Sequence, residues 1–549
     1  MVIVKSKSPI SFILYSAIVV TLIATPMWNK DALIIPKVAL LFFASIFLLP
    51  YFILDHRILL KSKITKIFVI TMLLILVQYI LIIGRSTSPI EQQIFGRTGR
   101  GIGLITLVSL ICITFASKVY IQYNEIDKIN KSFALTGVVL AIYGILQSYS
   151  LDPLAWETKN NGVIGTLGNP NFQSSFLAMS LVPILILSIK LKNKLIISPL
   201  LISLMCFAIY RAQSTQGYIG AVLAFSIFGI IFLWFKNRYV SFVLFFIFMG
   251  SSIIAIIGML NKGPLAAYLY KVSIQSRGDF WRSSIRAIND NPLSGVGLDS
   301  FGDYYLKYRD LVAVNHTFAE FTDSSHNYLL DYAATGGYLL LILNLILIIL
   351  GLYSFYKVQK SINHFHGGLT SVFCIFTVFQ AQSLISPNNI SLMLWNAIII
   401  GSIIGIASQL DEKNNVSKNL KSFSIINPFS LIALFVGIIA IFPYFNADRL
   451  QLQAMQKGDG NLAIKSSTMY PESVVRYSTM SRELYNSGLK IESLELARSG
   501  VKFNPYSASL WALILVNTEA PLAERKIAQT KLMTLDPLNK EVKNYFIEP

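Results

Sequence analysis

Apolar stretches of spanning length recur along the first 446 positions, separated by short polar runs. Thirteen can be read, over roughly 10–27, 32–54, 64–84, 102–122, 131–149, 171–190, 195–212, 215–235, 239–260, 328–357, 367–384, 389–408 and 427–446. A helix crossing the hydrocarbon core of a bilayer needs about 20 mostly apolar residues. The pattern therefore predicts thirteen membrane-spanning helices. The stretch 367–384 is the weakest, since it contains Gln380 and Gln382. The stretches 195–212 and 215–235 have almost no loop between them and predict a tight hairpin. The expected fold class is all-α, with a polytopic transmembrane bundle over 1–446 and a small soluble helical domain over 447–549.

The polar runs alternate in kind. One set carries Lys5 and Lys7; Arg57, Lys61, Lys63 and Lys66; Lys118, Lys128 and Lys131; Lys190, Lys192 and Lys194; Lys236 and Arg238; Lys357 and Lys360; Lys413, Lys418 and Lys421. Lys and Arg collect in cytoplasmic loops, so this set and the N-terminus are expected in the cytoplasm. The intervening runs hold Gly, Asn, Arg and His, and are expected outside. An odd number of spans places the C-terminal domain outside as well, on a multi-pass protein of the cytoplasmic (inner) membrane.

From about Ala447 the chain reads as a soluble helical domain. Pro471, Pro505 and Pro537 follow Tyr470, Asn504 and Asp536, 34 and 32 residues apart. Small or apolar residues precede each: Ala454 and Ala463; Leu484, Gly488 and Ala497; Ala512 and Ala523. A helix–turn–helix unit closed by Pro at a period near 34 is the tetratricopeptide pattern. An ordinary small helical domain with chance Pro spacing stays open. Either way the tail shows no catalytic cluster, and it is expected to bind a protein partner or to rest on the membrane domain.

Composition narrows the class. Of 549 residues, 54% are apolar and only 13% charged, against about 25% charged in soluble globules. A water-soluble enzyme, a disordered chain and a fibrous chain are excluded. The excess of 46 Lys+Arg over 28 Asp+Glu belongs to cytoplasmic loops, and no nucleic-acid partner is expected. Cys112, Cys206 and Cys374 lie in apolar runs and read as small core residues. The first apolar run is followed by many others, so it reads as a retained span and not as a cleaved signal peptide. His56, His364 and His366 fall on the cytoplasmic side with no metal-ligand pattern. There is no Walker loop, dinucleotide fingerprint or HExxH helix, so any substrate must arrive already activated, and no cofactor is expected.

Four outward segments carry candidate chemistry, because polar clusters at span ends are costly unless used. In Ile94-Phe95-Gly96-Arg97-Thr98-Gly99-Arg100-Gly101-Ile102-Gly103, the glycines let backbone N–H groups approach an anion that Arg97 and Arg100 would neutralise. Snorkelling arginines beside a flexible turn fit equally well. In Gly162–Asn171, Asn169 and Asn171 flank Pro170, which suits the first helical turn; a plain capped loop is the alternative. Gln213-Ser214-Thr215-Gln216-Gly217, with Arg211 nearby, offers amides and hydroxyls to sugar hydroxyls, or forms a polar turn. The segment 261–327 is too long for an idle connection and too aromatic for disorder. Arg277 and Trp281 within it share a helix face. It ends in Asp323-Ser324-Ser325-His326-Asn327. His326 at the membrane boundary suits a general base near neutral pH; a hydrogen-bonded interfacial His is the plainer alternative. The outer carboxylates Asp279, Asp299, Asp303, Glu320 and Asp323 show no spacing that suggests a Mg²⁺ site, so no metal is expected.

Arg277-x-x-x-Trp281, Asn291-Pro292-Leu293-Ser294-Gly295-Val296-Gly297, Phe301, Ser325-His326-Asn327-x-x-Leu330 and Gly336-Gly337 together resemble the signature of the O-antigen ligase and O-antigen polymerase superfamily. Gly165-Thr166-Leu167-Gly168-Asn169-Pro170-Asn171 is similar to that family's preceding turn. The Arg97–Gly103 stretch is similar to the Arg-rich lead-in of members with repeat tails. The resemblance spans about 90–410. It departs at Thr215-Gln216-Gly217, where many members have Ser-Arg-Gly; Arg211 does not match that position.

The resemblance implies an inverting, metal-independent glycan transferase. Its donor would be a glycan on undecaprenyl or similar polyprenyl diphosphate, and its site would lie on the outer face of the membrane. It implies His326 and Arg277 as catalytic residues. Arg97, Arg100, Asn169, Asn171, Arg211, Gln216, Trp281, Asp323 and Asn327 would bind substrate, with Asp323 placed to orient His326. The acceptor would be a lipid, glycan or protein hydroxyl, giving a ligase, a polymerase or a protein O-oligosaccharyltransferase in lipopolysaccharide and cell-envelope polysaccharide biosynthesis. Membrane lipid is an expected partner. A transporter is disfavoured by the lack of an inverted repeat and of charged mid-span residues. A scaffold using the tail for docking is the remaining alternative.

Overall fold

The computed structural model describes residues 9–53, 62–154, 156, 162–191, 193–318, 320–411 and 428–546. Lys5, Lys7, His56, Arg57, Lys61, Lys192, Lys413, Lys418 and Lys421 lie outside the described residues. No strand occurs among the described residues. Every predicted apolar stretch is helical: α1 Pro9–Leu22, α2 Ile34–Ile53, α3 Lys63–Arg85, α4 Leu104–Tyr120, α5 Ile126–Ser148, α6 Pro170–Ser188, α7 Lys194–Arg211, α8 Thr215–Lys236, α9 Arg238–Met259, α10 Tyr328–Ile362, α11 Gly367–Ser383, α12 Ile390–Gln409 and α13 Pro428–Lys457.

Among the described residues ten helices are long and apolar enough to cross a membrane, and α1 and α4 are apolar but shorter. The remaining helix, α11, has 17 residues. The expected count of thirteen thus divides by length into ten, two and one. The multi-pass membrane character is plain; the count itself rests on the sequence pattern.

Burial ranks the helices. In the apolar window of α12, 94% of residues are buried inside the protein, against 6% in α9. α12 is therefore central, while α9 turns its apolar surface outward, as a lipid-facing helix does. In the centre Phe133 of α5 stacks on Phe176 of α6 at 4.4 Å, and Trp395 of α12 meets Phe133 edge-on at 4.9 Å.

Two expectations change. The tight hairpin is formed by α8 with α9, not by α7 with α8. α7 and α8 instead both pack on α6. Small residues explain why: a Cβ added at Gly217 or Gly220 of α8 would meet Ser174 and Ala178 of α6 at 2.6 and 3.0 Å. A charge also lies inside a span. Lys37, one turn into α2, is buried and donates to the carbonyls of Thr21 at 2.9 Å and Thr166 at 2.7 Å. The Gln pair of α11 is accommodated in part by pairing, with Gln382 Oε1 buried and unpartnered among the described residues. Gln380 accepts from Tyr328 Oη at 2.6 Å and donates to Asn396 at 3.1 Å, and Gln382 donates to Ser383 at 2.8 Å.

The basic runs and the candidate runs gather at opposite ends of the bundle. At the basic end Lys190 pairs with Asp127 at 2.8 Å, Thr65 bonds Ser408 at 3.0 Å and Asn130 bonds Gly368 at 2.9 Å. At the other end the loops after α1, α3, α5, α7, α9 and α11 meet, and the tail sits on those after α3 and α9.

The boundary expected at 446/447 falls within α13, which continues unbroken to Lys457. Beyond it the tail has a separate core that includes Tyr477, Leu484, Ala497, Leu510 and Leu532. The helices Val474–Asn486, Ala508–Val516 and Lys540–Asn544 each begin three residues after Pro471, Pro505 and Pro537 respectively.

Candidate active site

The site is built around one kinked helix. α10 is interrupted at Gly337, where φ is +74°. Into that break lies the Pro292–Gly297 turn: Tyr338 N donates to Pro292 O at 2.8 Å, and Val296 N donates to Ala334 O at 2.8 Å. A Cβ at Gly295 would stand 2.3 Å from Ala334 O, and one at Gly337 would stand 2.5 Å from Pro292 O. The two glycine motifs are therefore the two halves of one backbone joint. Gln78 of α3 seals it, donating to Leu293 O at 2.8 Å and Gly336 O at 2.9 Å.

At the head of α10 the turn Ser324–Asn327 is clamped on Asp331. Ser324 Oγ and Ser325 N donate to its carboxylate at 2.8 and 2.6 Å, while Ser284 of the helix Val272–Asp290 holds Ser325 Oγ at 2.7 Å. Asn327 Oδ1 accepts from Leu329 N and Leu330 N, capping α10. Between these anchors His326 takes a left-handed conformation, φ +52°, uncommon for a residue with a Cβ. Its ring lies 5.2 Å from that of Phe280. Burial, reinforced by Arg100 and Arg277 and opposed by Asp323, lowers its pKa to about 3. The imidazole is thus neutral at physiological pH.

Arg277 stands on the helix Val272–Asp290 and donates to Ile385 O at 2.7 Å and Ser273 O at 3.0 Å. Among the described residues it has no carboxylate partner, and burial lowers its pKa from the usual arginine value. Trp281, one turn on, has a buried indole N–H with no hydrogen-bond partner among the described residues. Gln216 shares the same carbonyl, Ile385 O, at 3.5 Å and accepts from Ser386 Oγ at 2.9 Å. A short amide thus occupies this place beside Arg277.

The Arg97–Gly103 loop differs from the sequence reading. Its N–H groups do face anions, but these are the protein's own. Asp299 accepts from Arg97 N at 2.7 Å and Ile102 N at 3.0 Å, and Asp31 accepts from Gly99 N at 2.8 Å. Arg97 pairs with Asp303 at 2.7 Å and Arg100 with Asp323 at 2.6 Å. Burial works against both guanidinium charges, but these carboxylates outweigh it and hold them protonated. Burial, helped by Asp323 and opposed by the two backbone N–H groups and Arg100, raises Asp299 to about 7. Asp323 is held below the ordinary carboxylate range: burial works against its charge, but Arg100 and Arg97 outweigh it. Both bonds from the Arg100 guanidinium go to Asp323 Oδ1, so its hydrogen-bond partner is Arg100 and its influence on His326 is electrostatic.

Other candidate residues have local partners. Asn169 caps α6, accepting from Asn171 N at 2.8 Å, and Asn171 Oδ1 accepts from Ser214 at 2.7 Å. Arg211 bonds the hydroxyl and carbonyl of Ser148 and lies over Tyr149 at 4.5 Å. It is thereby fixed to the end of α5, while Gln216 is fixed to the 385–386 turn.

Two features escaped the sequence reading. The first is the loop Ile385–Asn389, which joins the pieces. Ile385 and Ser386 hold Arg277 and Gln216, and Pro387 and Asn388 line a cavity with Arg100, Asp299, Asp323 and Tyr332. Asn389 reaches Leu167 O at 3.3 Å. Its signal was a Ser-Pro-Asn-Asn run in a loop at the end of the bundle away from the basic runs. The second is His316, whose Nδ1 lies 2.9 Å from buried Asp279; only distance in space reveals that pair. Among the described residues no group of three or more His, Cys, Asp and Glu side chains is arranged to hold a metal ion.

Residues 200–345 match a family model described as O-antigen ligase. The matched region contains Arg211, Gln216, Arg277, Trp281, Asp323, His326 and Asn327, and both halves of the glycine joint. Arg97, Arg100, Asn169 and Asn171 lie before it. No curated protein matches the chain significantly.

Proposed function

Because the chain belongs to the O-antigen ligase and polymerase superfamily of membrane proteins, we propose that it transfers a glycan from a polyprenyl diphosphate carrier to an acceptor hydroxyl. The observation that carries this reading is the corner where Arg277, bound only to carbonyls, and neutral His326 face the Arg100–Asp323 pair. A site with a cation in excess beside an unprotonated imidazole suits an anionic leaving group and a neutral nucleophile.

The reaction is a single displacement. The acceptor oxygen bonds to C1 of the donor sugar as the bond from C1 to the diphosphate oxygen breaks, inverting C1. The bonding pair leaves with the polyprenyl diphosphate, whose developing charge Arg277 and Arg100 stabilise. The acceptor proton passes to His326. An imidazole with a pKa near 3 is a weak base, but part of that depression comes from the same two arginines. A bound diphosphate neutralises them, so donor binding itself raises the basicity of His326 toward the operating pH. The unpartnered Trp281 N–H donates to a glycan hydroxyl. Gln216 and the 385–389 loop hold Arg277 in place.

The site lies on the outer face of the cytoplasmic membrane, with the N-terminus inside and the tail outside, because the basic loops occupy the opposite end of the bundle. The leading acceptor is terminal, as in a ligase. The deciding experiment is deletion of the protein in its host, followed by gel and mass analysis of glycans. Accumulated long lipid-linked chains support the ligase; accumulated single lipid-linked units make it a polymerase; loss of glycan from proteins alone makes it a protein O-oligosaccharyltransferase. Unchanged glycans would overturn the transferase reading. In wild-type membranes, transfer in excess chelator is expected at the full rate, and loss restored by Mg²⁺ would replace this mechanism with a metal-dependent one.

A further inference from the structure

The three Pro turns of the tail all land on the loops that carry the site. At the first, Tyr470 lies edge-on to Phe95 at 5.9 Å, and Ser473 Oγ is 2.8 Å from Thr98 Oγ1, between Arg97 and Arg100. At the second, Asn504, fully buried, donates to Asp303 Oδ2 at 2.9 Å, and Tyr506 stacks on Tyr304 at 5.2 Å. At the third, Asp536 receives Arg309 through two nitrogens at 2.7–3.1 Å, and both side chains are almost wholly buried, at 2% and 5% exposure. Tyr470, Asn504 and Asp536 are the residues that immediately precede the three prolines. The period of the tail thus presents one edge of the repeat, three times, to one surface.

The middle contact reaches the site in two steps. Asp303 Oδ2 takes Asn504, and Asp303 Oδ1 takes Arg97. Arg97 N, in turn, is bound to Asp299, which also holds Ile102 N and so fixes both ends of the loop that carries Arg100.

We propose that the C-terminal repeats are a built-in strap of the transferase, and that Asn504, Asp303, Arg309 and Asp536 are positioning residues that hold the Arg97–Gly103 loop for the donor diphosphate. The proposal rests on the reading of Arg100, Arg277 and His326 as the donor site. A buried carboxylate stripped of its guanidinium, or the reverse, cannot stay docked cheaply. Removing both charges together removes that cost. A carboxylate in place of the Asn504 amide would face Asp303 as a like charge and release the middle turn.

The test combines a docking readout with transfer kinetics. Docking is read as the yield of a disulfide between Thr98→Cys and Ser473→Cys, with the three native cysteines replaced. Transfer is measured in purified membranes with polyprenyl diphosphate-linked glycan. Asp536→Ala and Asn504→Asp are each expected to lower the disulfide yield and to raise KM for the donor about tenfold, with kcat moved less, as for loss of ground-state binding. The double variant Arg309→Met/Asp536→Leu is expected to recover both the yield and the KM. Single variants that lower the yield but keep the wild-type KM and kcat would overturn the proposal. So would a double variant that regains the yield without regaining the KM. A wild-type protein that transfers no lipid-linked glycan would count against the donor-site reading instead, and the disulfide yield would still report the docking.

Discussion

The Arg97–Gly103 loop and the Arg277–His326 corner look alike in sequence: both are basic, outward and close to glycine motifs. In space they are opposites. The loop is electrostatically complete, with Arg97 on Asp303, Arg100 on Asp323, and its N–H groups on Asp299 and Asp31. The corner is incomplete, with Arg277 on carbonyls, an unpartnered Trp281 N–H and an unprotonated His326. Saturated charge builds a scaffold, and unsaturated charge waits for a ligand. Arg100 stands between the two, since its bonds go to Asp323 while its field reaches His326.

The largest effects should separate these classes. His326→Ala is expected to lower transfer by about 10²–10⁴, the usual contribution of a general base, and to leave the thermal unfolding of the detergent-solubilised protein near wild type. Arg277→Lys keeps the charge but loses the fork that grips phosphate, and should fall between His326→Ala and wild type. Arg97→Ala should act mainly on stability, and on transfer only through a raised KM for the donor as its loop loosens. It leaves the Asp303 carboxylate buried without its cation, a loss of about 3–5 kcal/mol in stability, visible as an earlier unfolding transition. An Arg97→Ala protein that is as stable as wild type but inactive would erase the distinction.

Titration gives an intermediate effect. His326 has its pKa lowered to about 3, so its share of stability is present above about 6.5 and is lost as pH falls through about 3. Asp299 has its pKa raised to about 7. Its share is present below about 4 and is lost as pH rises through about 7. The group that titrates near neutrality is therefore Asp299, beside the 90s loop, and not the proposed base His326. The profile of kcat/KM, which reports the free enzyme, should show a limb near 7 that Asp299→Asn removes, and none from His326 above about 5. A limb near 6.5 that persists in Asp299→Asn would show an imidazolium in the empty site, and the corner would no longer be neutral.

Much of this was legible in the chain. All thirteen apolar stretches are helices, because spanning length and composition dominate any local preference. His326 stood out because a polar residue at a span end is expensive, and Arg277 with Trp281 because four residues apart they share a helix face. The hairpin was misassigned because loop length says nothing of which neighbour offers Ser174 and Ala178 to Gly217 and Gly220. The anion that the backbone N–H groups of the 90s loop face was misassigned for a related reason. Glycine and arginine announce that an anion is bound, but not that the anion is Asp299, some 200 residues away in sequence. Asp331, which clamps the His326 turn, read only as the start of a span. The contacts of the tail were hidden because the prolines mark a spacing along the chain, and not the surface on which their turns land.

The smallest expected effect concerns Asn327, which follows the proposed base His326 and was read from the sequence as a substrate ligand. Its Oδ1 accepts from Leu329 N at 3.0 Å and Leu330 N at 3.2 Å, satisfying two of the N–H groups that a helix start leaves open. Loss of an Asn cap costs about 1 kcal/mol, so Asn327→Ala should shift unfolding slightly and lower transfer only as far as the His326 turn loosens. Asn327→Ser separates capping from contact, because a hydroxyl restores the cap but cannot present an amide to a sugar. Recovery of both stability and transfer in Asn327→Ser is the expected result, and it would keep Asn327 with the scaffold. Stability restored without transfer would mean that the amide touches the substrate. Asn327 would then join Arg277 and Trp281 among the groups left open for the ligand.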